Sequence, residues 1–339
     1  MNKTRLILPV VVAIAILLFL GLAVSSTTGL FMQSTAKETL KVRMGGTPIA
    51  NGLPVYMAID KGYFKEAGID MEYTKFEAPN QLIDALLQNK LDFTFTGSPL
   101  GIAAVADYKN PGKMKLYMIN EGTIEQPTSA LLVPKDSNIS SVSDLNGKKL
   151  GIFGGSLQWK LLATYLLEKN GLQADKDVTL VELATAAQVS TLAAKQVDAL
   201  LALEPVTTIA QSTNAGKMLQ NGAMEKTLSN PLVIGAGIVN TDFAKNHPAE
   251  TKMIIEIINK AAKEMEQNPS EARKYLKNYT PLTDEVAGKI TMPMFEACEE
   301  ISQNELDTMQ KFLDIFTTYG AVDGKINAND LLYCKGNAS

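Results

Sequence analysis

Histidine, cysteine, tryptophan and arginine are all scarce: the 339 residues hold one, two, one and three of them. Two cysteines and one histidine cannot supply a typical zinc site. The GxGxxG and Walker patterns are missing, so nucleotide binding has no support. The only arginines are Arg5, Arg43 and Arg273, which argues against an arginine clamp on a phosphate or dicarboxylate. His247 precedes Pro248 and has no acidic or nucleophilic partner at a diagnostic spacing. That placement predicts a loop-capping role and not catalysis. No metal and no cofactor are expected. Cys298 and Cys334 either pair, as cysteines do in an oxidising compartment, or stay as two buried thiols; the sequence leaves both open.

What is present is the make-up of a globular protein: 46% of residues are hydrophobic and 20% charged. The length suits one large or two medium domains. Residues 1–36 differ from the rest. Lys3 and Arg5 lead an uncharged stretch whose apolar part, Leu6 to Val24, is about as long as a bilayer-crossing helix. An uncleaved anchor fits that length better than a cleaved signal peptide, whose apolar region is usually shorter. Ala23-Val24-Ser25 would be the exit site of the second reading. Both readings export residues 37–339. Residues 1–36 hold two of the 32 basic residues and none of the 36 acidic ones, leaving the exported part with net charge −6. Nucleic acid is therefore not an expected partner. Asn-X-Ser/Thr triplets at Asn138, Asn278 and Asn337 are candidate glycan acceptors.

From Leu40 strand and helix patterns alternate. LKVRMG, IDMEYTKF, LDFTFTG and KLYMINEG read as strands, with LPVYMAIDKGYFKEAG and PNQLIDALLQNK as helices between them. The rhythm restarts after Pro134 with KLGIFG, the helix SLQWKLLATYLLEKNG, VTLVEL, a further helix and VDALLALEP. NPLVIGAGIVN is one more apolar strand before a helical C-terminal region. Two such sets, joined by two extended crossings, predict two lobes with a cleft between them. The expected division is 37–132 with 233–339 for lobe 1 and 133–232 for lobe 2. Ligands of open α/β sheets sit beyond the carboxyl ends of the strands, here facing the cleft.

Three strand-to-helix corners share one chemistry, glycine plus hydroxyl: Gly45-Gly46-Thr47-Pro48, Thr96-Gly97-Ser98-Pro99 and Gly154-Gly155-Ser156. The first amides of a helix lack internal partners and carry partial positive charge, so such corners can hold a polar or anionic group without an arginine. The competing reading for Ser98 is that it caps its own helix, with Pro99 in the first turn. The candidate binding set is Gly46, Thr47, Pro48, Asn51, Thr96, Gly97, Ser98, Gly155, Ser156, Gln158, Trp159 and Glu204. Trp159 either covers a ligand or packs on the lobe surface, and Tyr56 is expected in the core. Glu204, at a strand end, either accepts from a ligand amino group or pairs with a lysine or caps a loop. Contact with Glu204 would favour zwitterions or aminopyrimidines over a bare anion. Asn120 and Glu121 rank lower.

The ordered set AIDKGYFKEAGIDMEY, LDFTFTGSP, LLVPKDSNISSVSDLNGKKLGIFGGS, QVDALLALEPV and FAKNHPAETKMIIEIINKAAKEMEQNPSEARKYL resembles the nitrate/sulfonate/taurine group of substrate-binding proteins of ABC importers. Binders of thiamine-pyrimidine precursors are related to that group. The resemblance covers most of residues 40–333. It implies a type II periplasmic-binding-protein-like α/β fold, each lobe a mixed, mostly parallel sheet flanked by helices and hinged by two crossing strands. It also implies a monomer that captures a small organic solute by hinge closure and delivers it to permease subunits driven by a cytoplasmic ATPase. The chain departs from the group at Leu203, where an aromatic often precedes the acid-proline pair, and at Lys195-Gln196, where glycine is usual. An enzyme on the same scaffold would need a reactive His, Cys or Lys in the cleft. A ligand-sensing domain would need a partner chain.

Overall fold

The computed structural model describes residues 39–336. The anchor and signal-peptide readings of residues 1–36 both fall outside them, as does the Asn337 triplet. Among the described residues, no helix is long and apolar enough to cross a membrane.

Among the described residues, twelve strands build two sheets. In chain order they are β1 (Leu40–Gly46), β2 (Ile69–Lys75), β3 (Phe93–Thr94), β4 (Ser98–Pro99), β5 (Met114–Gly122), β6 (Ser129–Pro134), β7 (Lys148–Phe153), β8 (Val178–Leu183), β9 (Ala199–Leu203), β10 (Gly216–Asn221), β11 (Leu232–Asn240) and β12 (Met294–Ala297). The first sheet runs β12-β5-β11-β3-β1-β2, with β4 also on β11; the second runs β10-β6-β9-β7-β8. Parallel pairing is confined to β1 with β2 and β3, and to β7 with β8 and β9. The remaining pairs are antiparallel, because β5, β6 and β11 border the two points where the chain passes between sheets. Every residue of β6 and of β11 is buried, as expected of apolar strands covered on both faces. The expected boundary at 132/133 falls inside β6, all of whose partners lie in the second sheet.

Local chemistry sets the helix ends. The predicted helix LPVYMAIDKGYFKEAG is two, Leu53–Asp60 and Tyr63–Glu66, because Gly62 takes a left-handed φ of 76° between them. The Leu157–Lys169 helix begins where expected and is followed by Gly171, also left-handed. Gly101 has no room for a side chain: a Cβ there would stand 2.0 Å from the Phe316 ring. The Gln303–Thr318 helix therefore closes directly onto the Leu100–Lys109 helix. Tyr319, just past its end, donates to Glu168 at 2.6 Å on the helix of the other lobe.

Cys298 and Cys334 form a disulfide across 36 residues. The link holds the C-terminal segment against β5, where Leu332 bridges Leu116. In the chain-entropy account, closing a loop of that length stabilises the fold by about 4 kcal/mol.

Candidate functional site

The first corner leaves β1 and enters a short turn at Ala50–Gly52 before the Leu53–Asp60 helix. Tyr56, fully buried, donates to the carbonyls of Thr47 at 3.0 Å and Ile49 at 3.3 Å and stacks on Tyr279 with centroids 4.2 Å apart. It is a core residue, as expected, and one that fixes the first corner. Burial pushes its phenol well up, so it stays a neutral donor.

The second corner is spent internally. Thr96 donates to the Asn51 carbonyl at 2.5 Å, and Ser98 donates back to the Phe95 carbonyl at 3.0 Å. Both hydroxyls are fully buried. Ser98 and Pro99 form β4, and the helix begins only at Leu100 with no side-chain cap. Ser98 thus does not cap the helix, and its hydroxyl is used within the fold. Gly97 is required for a reason other than ligand approach: a Cβ there would lie 2.3 Å from the Asn51 Cβ.

The third corner behaves differently. Gly155 is left-handed, with φ 65°, and its N–H donates to Glu182 at 2.9 Å. Ser156 occupies the N-cap position, but its hydroxyl accepts from no helix amide. It is 3% exposed and has no hydrogen-bond partner. Two residues on, Gln158 reaches across the cleft. Its Oε1 accepts from Gly101 N at 2.8 Å and its Nε2 donates to the Ile234 carbonyl at 3.0 Å. The free amide of the second corner's helix is thus satisfied by the opposite lobe.

These elements enclose a cavity of about 40 Å³. Of the predicted residues, Thr47, Asn51, Gly97, Ser156, Gln158 and Trp159 line it. Gly46, Pro48, Thr96, Ser98 and Gly155 do not, and Glu204 lies in a neighbouring cavity. Trp159 is buried at the cavity wall, not packed on an exposed surface. The lining contains no charged side chain. Arg43 is engaged by Asp92, with its Nε 3.0 Å from the carboxylate, and Arg273 donates to the Ile290 carbonyl at 3.1 Å. His247 makes no side-chain cap and lies against Phe243, ring centroids 4.9 Å apart.

Asn120 is the main residue that sequence reasoning underweighted. With its amide nitrogen turned inward it donates to the carbonyls of Thr96 and Gly235, both at 3.2 Å, and accepts from Asn51 Nδ2 at 2.6 Å. Gly235 must be glycine to admit it, since a Cβ would fall 1.8 Å from the Asn120 side-chain amide. Thr128, Phe153, Leu203 and Ile234 join the wall together with Gly235. The one signal for Asn120 was a polar residue near the end of an apolar strand. Glu121, its neighbour, points to the other face. Its carboxyl is pushed up to about 8, chiefly by burial and then by Glu305 and Glu296.

Comparison with known proteins gives a consistent picture. The profile of the family described as NMT1/THI5 like matches residues 49–272. A Bacillus subtilis (strain 168) protein named for aliphatic sulfonates binding is 28% identical over 87% of this chain and 86% of its own length. The 4-amino-5-hydroxymethyl-2-methylpyrimidine phosphate synthase THI5 of Saccharomyces cerevisiae (strain ATCC 204508 / S288c) is 22% identical over 85% of this chain and 83% of its own. Among solved structures, the periplasmic aliphatic sulphonate binding protein SsuA from Escherichia coli superposes with a TM-score of 0.68 at 16% identity, covering 87% of this chain and 97% of that one. The two-lobed fold is thereby shared.

Proposed function

The chain belongs to the NMT1/THI5-like family, and from that premise we propose that it is the exported solute-binding component of an ABC importer. Its solute carries a small anionic head, of the sulfonate kind, bound between two lobes that pivot on the crossings near residues 123–128 and 228–231. The observation that carries the reading is Ser156: a buried hydroxyl with no partner, at the uncapped start of a 13-residue helix, opening into a cavity with no charged side chain. The helix end supplies partial positive charge and free amides. Placing Glu204 outside the cavity removes the one carboxylate that would repel a bare anion or draw an aminopyrimidine.

The cavity is far smaller than the roughly 300 Å³ at which small-molecule sites begin. Gln158 holds the walls together, so solute entry parts it from Gly101 and Ile234, and closure around the solute restores contacts from both lobes. A permease then reads the closed form. Export to an oxidising space is supported by the disulfide. The binding reading is preferred to an enzyme of the synthase kind because neither cysteine nor the histidine lines the cavity.

The lone tryptophan lines the cavity, so its fluorescence reports on occupancy. Titration with methanesulfonate, taurine, nitrate and 4-amino-5-hydroxymethyl-2-methylpyrimidine is expected to saturate with a sulfonate. Ser156→Ala is expected to weaken that binding about tenfold, the value of one hydrogen bond to a charged group. A response to the pyrimidine alone overturns the solute class; silence from all four in folded protein overturns the site.

A further inference from the structure

A second, larger cavity of about 290 Å³ lies beside the first. Thr128 lines both, and at the end of β9 Leu203 faces one while Glu204 faces the other. Thr207 and Thr208, from the helix Val206–Ser212, share its wall with Glu204. Lys289 and Thr291, from the segment leading into β12, form another.

Two groups in this cavity are left incomplete by the fold. Glu204 is 8% exposed and makes no ion pair among the described residues. Its Oε1 accepts from Thr208 Oγ1 at 2.8 Å and, distantly, from Thr291 N at 3.5 Å; its Oε2 accepts only from Thr208 N at 3.1 Å. Thr207 is 6% exposed, and its hydroxyl has no partner at all. The one lysine at the rim, Lys289, is occupied by Glu285 at 2.9 Å. A carboxylate taken out of water without a counter-charge costs several kcal/mol, and an unpaired buried hydroxyl adds to that. Burial accordingly pushes Glu204 above the usual carboxylate range. Structural roles alone leave both groups unexplained, since a capping carboxylate needs no cavity and a core position would be better filled by valine than by Thr207.

We infer that the cavity is a second ligand site, distinct from the one at Ser156, for a small molecule bearing a protonated primary amine. Glu204 is its counter-ion and Thr207 its additional acceptor. An ammonium group provides several N–H donors, enough to complete both residues at once. The site does not depend on what the cleft binds.

The test is calorimetric titration of the full chain with n-propylammonium chloride, using potassium chloride at matched ionic strength as the control. Saturable binding of propylammonium and none of potassium is expected. Glu204→Gln should weaken it at least tenfold and Thr207→Val about threefold, whereas Ser156→Ala in the cleft should leave it within twofold. Thr207→Val removes a hydroxyl that bonds to nothing, so it keeps the test valid if Glu204→Gln fails to fold. Equal response to potassium, no binding by the wild type, or an affinity indifferent to both Glu204→Gln and Thr207→Val overturns the assignment.

Discussion

Glu225 is the residue whose removal should most damage the join between the two sheets. It is 2% exposed, on the short helix Ala223–Thr227 that precedes the return to β11. Its carboxylate binds the outgoing crossing: Oε1 accepts from Thr128 N at 2.6 Å, Thr128 Oγ1 at 2.9 Å and Ser129 N at 3.0 Å, while Oε2 accepts from Ser129 Oγ. Gly122 cannot carry a side chain beside it, because a Cβ would lie 2.7 Å from Glu225 Oε1. One carboxylate therefore pins both passages of the chain. Glu225→Ala leaves two buried backbone N–H groups unpaired at about 1–3 kcal/mol each. A loss of about 4 kcal/mol is expected, in the range for breaking a buried charged network. Glu225→Gln keeps the oxygen that takes three of the four bonds and turns its amide toward Ser129 Oγ, which can accept. It also relieves the desolvation of a charge, so it should cost only about 1–2 kcal/mol. Equilibrium urea unfolding at neutral pH measures both. An alanine variant within about 1 kcal/mol of wild type, or a glutamine variant as damaged as the alanine one, refutes the reasoning.

Gln158→Ala removes the two hydrogen bonds across the cleft and leaves a Gly101 amide to be solvated. The solute-free protein should then populate a more open form, read as a larger radius of gyration in X-ray scattering; superimposable curves would show that Gln158 holds nothing shut. Glu121 gives a pH dependence of opposite sense to the usual carboxylate. Its folded carboxyl keeps a proton to about pH 8, whereas the unfolded one loses it near pH 4.3. The folded state thus binds more protons between those values, and stability falls as pH rises through them, by up to about 1.4 kcal/mol per pH unit. Urea midpoints from pH 5 to about 8 should decline in wild type and flatten in Glu121→Gln; an unchanged slope in the variant would assign the effect elsewhere.

The strands and helices were legible because their causes are local. Alternation or runs of apolar residues mark β1, β2, β3, β5, β7, β8, β9 and β11, whereas β4, β10 and β12 are too short or too mixed in pattern to be read; Gly68 and Gly171 stop helices by taking left-handed backbone. The parallel halves of each sheet followed from the helix-separated strands. The antiparallel halves did not, since they depend on the chain leaving one sheet and returning 100 residues later. The site was half legible for the same reason. Thr47, Asn51, Gly97, Ser156, Gln158 and Trp159 sit at or beside corners that sequence can mark. Asn120, Ile234 and Gly235 reach the cleft through the pairing of β5 with β11, and Thr128 through the crossing into β6, which a local pattern does not announce.

The corner donors that sequence marks share one fate, and it says where binding should be sought. A serine or a helix amide in a sequence advertises a donor, but not whether the fold has already used it. Ser98 is taken by Phe95, Thr96 by Asn51, Gly155 by Glu182 and Gly101 by Gln158. Gly97 lines the cavity, and the close approach that requires a glycine there is made by Asn51. Buried polar groups are almost always satisfied within the protein, so those that are not carry the information. Two such hydroxyls face cavities here, Ser156 in one and Thr207 in the other. The corner motif therefore marks the region, and the hydrogen bond left unmade marks the place where a ligand is proposed.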